Sequence, residues 1–217
     1  MHRVSGASRA TGALFTAAEA RDIVGGLSKP SKMPGLAYGL PAKECKTGSA
    51  LAKIPNSVCA NCYALKGRYR FDNVQNAQYR RLATLTDPRW VAAMAFLIQH
   101  EEVEYFRWHD SGDIQDLGHL QSIVEVARLC PDTKFWLPTR ERSMVHDFMR
   151  LYGAFPPNLI VRVSGAMIDG VPPIGFQNTS TVVTSGETCP SRQQNNSCGA
   201  CRACWDPGVM NVSYHKH

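Results

Sequence analysis

The chain has no run of about 18 consecutive apolar residues, so no transmembrane helix is expected. Its opening, Met1-His-Arg-Val-Ser-Gly-Ala-Ser-Arg9, lacks the continuous apolar segment of a secretory signal, which points to the cytoplasm. There is no internal repeat of solenoid length and no low-complexity tract, which argues against a repeat architecture. Cysteine, by contrast, is abundant: the 217 residues hold eight, and C-x2-C spacings recur. In a reducing compartment that pattern reads as metal ligands before it reads as disulfides. An apolar fraction of 44% allows one large domain, or a domain with a small appendage.

Seven of the cysteines fall into two groups, and Cys130 stands alone. Cys45, Cys59 and Cys62 form a C-x13-C-x2-C pattern, with the close pair expected to open a helix over residues 60–83. Three thiolates are one short of a closed metal site, and sites that do chemistry keep a position open. Cys189, Cys198, Cys201 and Cys204 do supply four, in a polar loop that needs a staple to order itself. The run C-x2-C-x2-C suits a [4Fe-4S] cluster, with zinc as the competitor. One cluster or two can be drawn from these residues, because a zinc ribbon pairing Cys59 and Cys62 with Cys201 and Cys204 stays open if the fold joins them.

Between the groups the pattern is β-α-β-α-β, the signature of parallel strands joined by helices. Thr16-Ala-Ala-Glu19 is a capping box for a short helix ending at Gly25-Gly26. Residues 36–40 make a first strand, and Asp87-Pro88 starts a helix. Strands follow at 103–108, 134–137, 159–163 and 181–184, with helices over 117–127 and 144–152 and none after Gly165. The expected fold is α/β: a partial or irregular β/α, TIM-like barrel with a cysteine-rich C-terminal segment. Residues 1–30 read as an arm and short helix, 31–186 as the β/α core, and 187–217 as the cluster-binding tail.

Ligands of parallel α/β sheets bind at the carboxyl ends of the strands. Here those ends are polar and turn-forming, as in Trp108-His-Asp-Ser-Gly-Asp113, Leu137-Pro-Thr-Arg140, Val163-Ser-Gly165 and Thr184-Ser-Gly-Glu187. Capping chemistry alone also places Ser, Gly, Asp and Thr there. His109, Asp110 and Asp113 are three titratable groups within five residues, more than one cap needs, and are the candidate catalytic residues. The net charge of +6 permits a polyanionic partner without requiring one. Cations alternate with aromatics in Lys66-Gly-Arg-Tyr-Arg-Phe71 and Tyr79-Arg-Arg81, which suits a phosphate-bearing or nucleic-acid substrate. A helix with exposed arginines and a buried aromatic stripe would look the same.

Three cysteines ending in C-x2-C before a helix, a partial β/α barrel, and Ser111-Gly112-Asp113 after an early strand resemble a radical S-adenosylmethionine enzyme. That resemblance implies that S-adenosylmethionine is held by Ser111, Gly112 and Asp113, where the superfamily has a Gly-Gly-Glu-type motif, and that an electron donor is a partner. The first spacer is longer than the superfamily's usual three residues, and Asn61 replaces the aromatic before the last cysteine. More closely, Gly39-Leu-Pro-Ala-Lys-Glu-Cys45, Cys59-Ala-Asn-Cys-Tyr-Ala64, Arg107-Trp-His-Asp-Ser-Gly-Asp113, Cys198-x2-Cys-x2-Cys-Trp205 and Val212-Ser-Tyr-His-Lys-His217 resemble the phage gene product 88 family. It covers most of the chain from about residue 30 and implies architecture and cluster binding more than a reaction. A phage-encoded member would work in the host bacterial cytoplasm.

Overall fold

The computed structural model describes residues 15–216. Residues 1–14 of the arm expected at the N-terminus lie outside the described residues. Helix α1 (Ala17–Val24) starts at Thr16, whose side chain accepts from the Glu19 amide in a full capping box, and stops at Gly25 with φ 73°. Strand β1 (Leu36–Tyr38) leads through a 3-10 turn to Cys45, which caps the short α2 (Lys46–Leu51).

The single helix expected over 60–83 is replaced by three 3-10 turns, Val58–Asn61, Tyr63–Leu65 and Gly67–Arg70, before α3 (Asp72–Thr84). Gly67 sits at φ 53° and Lys66 is extended, so helical backbone cannot run through this stretch. Helix α4 (Trp90–His100) starts two residues after Pro88, with Asp87 Oδ1 accepting from the Arg89 amide at 2.8 Å.

The rest alternates as expected: β2 (Tyr105–Trp108), α5 (Leu117–Leu129), β3 (Lys134–Thr139), α6 (Arg142–Tyr152), β4 (Leu159–Ile168) and β5 (Thr179–Val183). Strand β4 runs five residues past Val163 because the loop before Cys59 docks on it. Ser57 bridges Met167, and the Ile168 amide donates to the Asn56 carbonyl. A final strand, β6 (Asn211–His215), was not expected; the cysteine-rich loop takes the place of a β5–β6 helix and returns the tail to the sheet. Five residues next to a cysteine-rich loop carry too short an alternation to stand out.

All six strands are parallel and lie in chain order, β1 to β6, with β1 and β6 as the edges. Side chains alternate across the sheet. On one face Tyr38, Phe106, Trp108, Phe135 and Leu137 pack with α1, α4 and α5 into the main core. On the other, Trp136 and Val212 pack with Cys204 and Trp205 of the tail. The fold is therefore α/β on an all-parallel sheet with both faces covered. Among the described residues no helix is long and apolar enough to cross a membrane.

Candidate functional site

The carboxyl ends of β1, β2 and β3 are laced together by side chains from the turns that follow them. Leu40, past β1, donates its amide to the Ser111 carbonyl, and Ser111 Oγ donates back to the Leu40 carbonyl, each at 2.8 Å. Gly112, at φ 80°, lies so close that a Cβ there would be 2.7 Å from the Leu40 Cβ. Asp113 is buried and ties β2 to β3. Its Oδ1 accepts from Thr139 Oγ1 at 2.6 Å and the Ile114 amide at 2.8 Å, and its Oδ2 accepts from the Arg140 amide at 2.8 Å. Burial pushes the Asp113 carboxyl up to about 6, against the pull of those three donors.

The same network reaches the first thiol group through Glu141, a residue the sequence reading did not single out. Glu141 is buried at the end of β3 and accepts from the Thr47 amide at 2.9 Å and Thr47 Oγ1 at 2.7 Å. Thr47 lies two residues past Cys45 in α2, so the carboxylate seats the start of that helix and the cysteine that caps it. Cys59 arrives from the loop docked on β4, and Cys62 follows in the next turn. Gly48 leaves room beside them: a Cβ there would lie 2.9 Å from the Cys45 Cβ and 3.6 and 3.7 Å from the Cys45 and Cys59 sulfurs. Burial pushes the Cys45 thiol up to about 12, with the neighbouring charges of Asp113, Cys62, Cys59 and Glu141 adding to it. Burial raises Cys59 as well, and the Arg140 charge opposes that. Three thiols that repel one another's anions are what a cationic centre would relieve.

His109 has φ 54°, donates its amide to the Tyr38 carbonyl, and keeps both ring nitrogens buried without a protein partner. Burial, with His119 and the Arg107 charge beyond it, holds His109 well below the usual imidazole range. Asp110 is pinned by its carbonyl, which accepts from Tyr63 Oη at 2.7 Å, while its Oδ1 is buried and unpartnered. Gly39 gives that oxygen its room: a Cβ there would lie 2.2 Å from it and would push the Asp110 carboxylate aside. Arg107 stacks over Trp136 at 4.4 Å on the other face and donates to Tyr63 Oη at 3.2 Å. Its charge opposes the effect of burial on the Cys198 and Cys204 thiols of the second group.

That second group lies against the sheet face rather than its end. The Cys189 amide donates to Ser213 of β6, and the Cys198 amide donates to the Lys32 carbonyl before β1. Cys204 is buried with its sulfur 3.2 Å from Tyr214 Oη, and burial pushes its thiol up to about 11. The loop is clamped by Arg162, fully buried on β4, whose guanidinium donates to the carbonyls of Ala203, Cys204, Asp206, Val209 and Thr179 at 2.7 to 3.3 Å. A lone arginine inside the apolar run Leu159-Ile-Val-Arg-Val163 was the signal that could have revealed it. As the side chains stand, no group of three or more His, Cys, Asp or Glu among the described residues is arranged to hold a metal ion. The two thiol groups have different surroundings: Cys45 and Cys59 lie beside Gly48 of α2, whereas the Cys204 sulfur lies against Tyr214 of β6 and the Cys189 amide bonds to Ser213 of the same strand.

An all-parallel α/β sheet with thiols and buried acids gathered where its first three strands end defines a class of protein by architecture. The chain belongs to the gene product 88 family, whose model matches residues 8–187. The match takes in Cys45, Cys59, Cys62 and the strand-end residues, and stops two residues before Cys189. The likeness read from Cys198 to Trp205 and from Val212 to His217 lies outside it. No curated protein and no solved structure matches the chain.

Proposed function

We propose that the protein is an iron–sulfur enzyme of the radical S-adenosylmethionine type, built on a TIM-like partial β/α barrel and working in the reducing cytoplasm. The observation that carries the reading is that the Cys45 and Cys59 sulfurs both lie beside Gly48, near the carboxyl ends of the parallel strands, with Cys62 three residues after Cys59 and no fourth cysteine in the sequence group. A [4Fe-4S] cluster on three thiolates supplies one iron open to an exogenous ligand, from which S-adenosylmethionine can be cleaved reductively to a carbon radical.

The chain's own residues have separable tasks. Glu141 and Thr47 seat Cys45, and Gly48 leaves space beside the sulfurs. Ser111, Gly112 and Asp113 form the loop that holds the cosubstrate. Ser111 Oγ and both Asp113 oxygens already have protein partners, so this loop acts through its backbone, with Asp113 as a positioning residue. His109, buried and neutral, and Asp110 are the groups left to handle protons. Cys189, Cys198, Cys201 and Cys204 hold a second, closed cluster toward an electron donor.

Visible absorption and metal content of anaerobically purified protein, followed by assay for methionine and 5′-deoxyadenosine under reductant, test this reading. A colourless protein with stoichiometric zinc would overturn it in favour of a zinc-stapled binding protein. Iron without S-adenosylmethionine cleavage would leave a non-catalytic redox protein.

A further inference from the structure

The excess positive charge of the chain is not spread over it. Residues 43–81 hold eight lysines and arginines against two acids, which equals the whole chain's net +6. This segment carries the first thiol group. Among the described residues, Lys43, Lys46, Lys66, Arg68 and Arg70 are exposed and make no ion pair, whereas Arg81 is buried against the Gly26 and Gly39 carbonyls.

Rings stand among these cations. Phe71 is 58% exposed, and Tyr63 and Tyr79 are 40% and 41% exposed. Tyr79 also lines a cleft of about 250 Å³ whose other walls come from both sides of the cysteines, Pro41 to Lys43 before Cys45 and Ala64, Leu65, Tyr69 and Arg70, the last next to Phe71 in the chain, after Cys62. Its tyrosines are held by their hydroxyls, Tyr69 Oη on the Asp110 carbonyl at 3.3 Å and Tyr79 Oη on Glu44 at 3.2 Å. Ring faces fixed in advance lose little freedom on stacking.

We propose that this surface binds single-stranded nucleic acid, stacking bases on Phe71 and Tyr79 and in the Tyr69 cleft and setting phosphates on Lys43, Lys66, Arg68 and Arg70, beside the thiol group. A basic track interleaved with aromatic platforms is the chemistry that such strands require. The inference takes the thiol group as the reacting centre proposed above, but its test does not depend on that chemistry.

The test is fluorescence anisotropy of the full, anaerobically purified chain with a labelled single-stranded oligonucleotide over a salt series, with heparin, duplex DNA and a free mononucleotide as competitors. Phe71→Ala, whose ring is exposed and whose helix-capping contacts are backbone, should weaken binding by roughly 5- to 150-fold, the range for loss of one stacked base. A Lys66→Gln/Arg68→Gln/Arg70→Gln variant should flatten the log K against log salt slope by about 2, at about 0.7 per phosphate contact. Arg128→Gln/Arg150→Gln, on α5 and α6, should change neither. Competition by the mononucleotide with the same ring dependence would support the site and point to a free nucleotide as its natural source. No binding at low salt would overturn the proposal. So would heparin or duplex competing as well as the single strand while Phe71→Ala has no effect, which marks a generic polyanion patch. Oligonucleotide binding without S-adenosylmethionine cleavage would leave this surface standing and remove the radical reading; cleavage without binding would do the reverse.

Discussion

The two cysteine groups are held by opposite means. The first is seated by carboxylates, Glu141 on Thr47 and Asp113 on Thr139 and Arg140, at the ends of strands that exist without it. The second is held by a cation, Arg162, which gathers four carbonyls of the tail, those of Ala203, Cys204, Asp206 and Val209, together with that of Thr179 on β5. Side-chain acids at strand ends can shape a site before any ligand enters it. A loop clamped by one buried guanidinium depends on that residue for its order. The difference matches the reach of the family likeness, which spans the first group and stops short of the second.

The largest effect should come from the clamp. Arg162→Met takes the guanidinium donor from five carbonyls, of which Ala203, Asp206 and Val209 keep a second partner, and the summed losses at about 1–3 kcal/mol each should cost at least about 4 kcal/mol in urea unfolding. Limited proteolysis should cut within 189–207 first. A variant with wild-type protease resistance in that loop would remove the contrast between the groups.

Glu141→Ala should cost less, about 2–4 kcal/mol, since it leaves the Thr47 amide and hydroxyl without their acceptor. Its effect should fall on the first group, lowering metal content there while the 189–207 loop keeps its protease resistance. Equal damage to both groups would show that they are one unit.

A third expectation concerns the buried imidazole behind the strand-end loop. Burial lowers His119 to about 4 from an ordinary 6.5, so between those values the unfolded chain binds a proton that the folded one does not. Its contribution is present above about pH 6.5 and is lost as pH falls toward 4, by at most about 3 kcal/mol. His119→Asn keeps an acceptor for the Gln115 amide and should flatten the stability curve across that window in urea titrations at several pH values. An unchanged slope would place the acid sensitivity elsewhere, with His109 the next residue to test.

Much of the sheet was legible because its strands are apolar runs closed by Ser-Gly, Thr and Asp turns, and those turns mark the site end. Period-two and period-3.6 patterning marks faces, and it located β2 to β5 and α4 to α6 to within a few residues, apart from the second half of β4, which pairs with the loop before Cys59. Of the helix expected over 60–83, the part from residue 72 on is α3, and the part before it failed because apolar spacing does not register Gly67 in left-handed backbone. Strand β6 failed because Asn211-Val-Ser-Tyr-His215 becomes a strand only by pairing with β5. Glu141 and Arg162 were missed for a related reason. A charged residue on a strand or at its end looks solvated until its partners, Thr47 and the carbonyls of 203–209, are brought in from some 40 to 95 positions away.

The central claim is that the two groups hold separate centres. Iron quantitation on the wild type, on a Cys45→Ser/Cys59→Ser/Cys62→Ser variant and on a Cys198→Ser/Cys201→Ser/Cys204→Ser variant tests it most directly. Each variant should keep about half of the wild-type iron, as two independent clusters require, and only the second should retain a spectrum that responds to S-adenosylmethionine. If either triple variant loses all its iron while staying folded, the cysteines share a single centre drawn from both ends of the chain, and the account is contradicted.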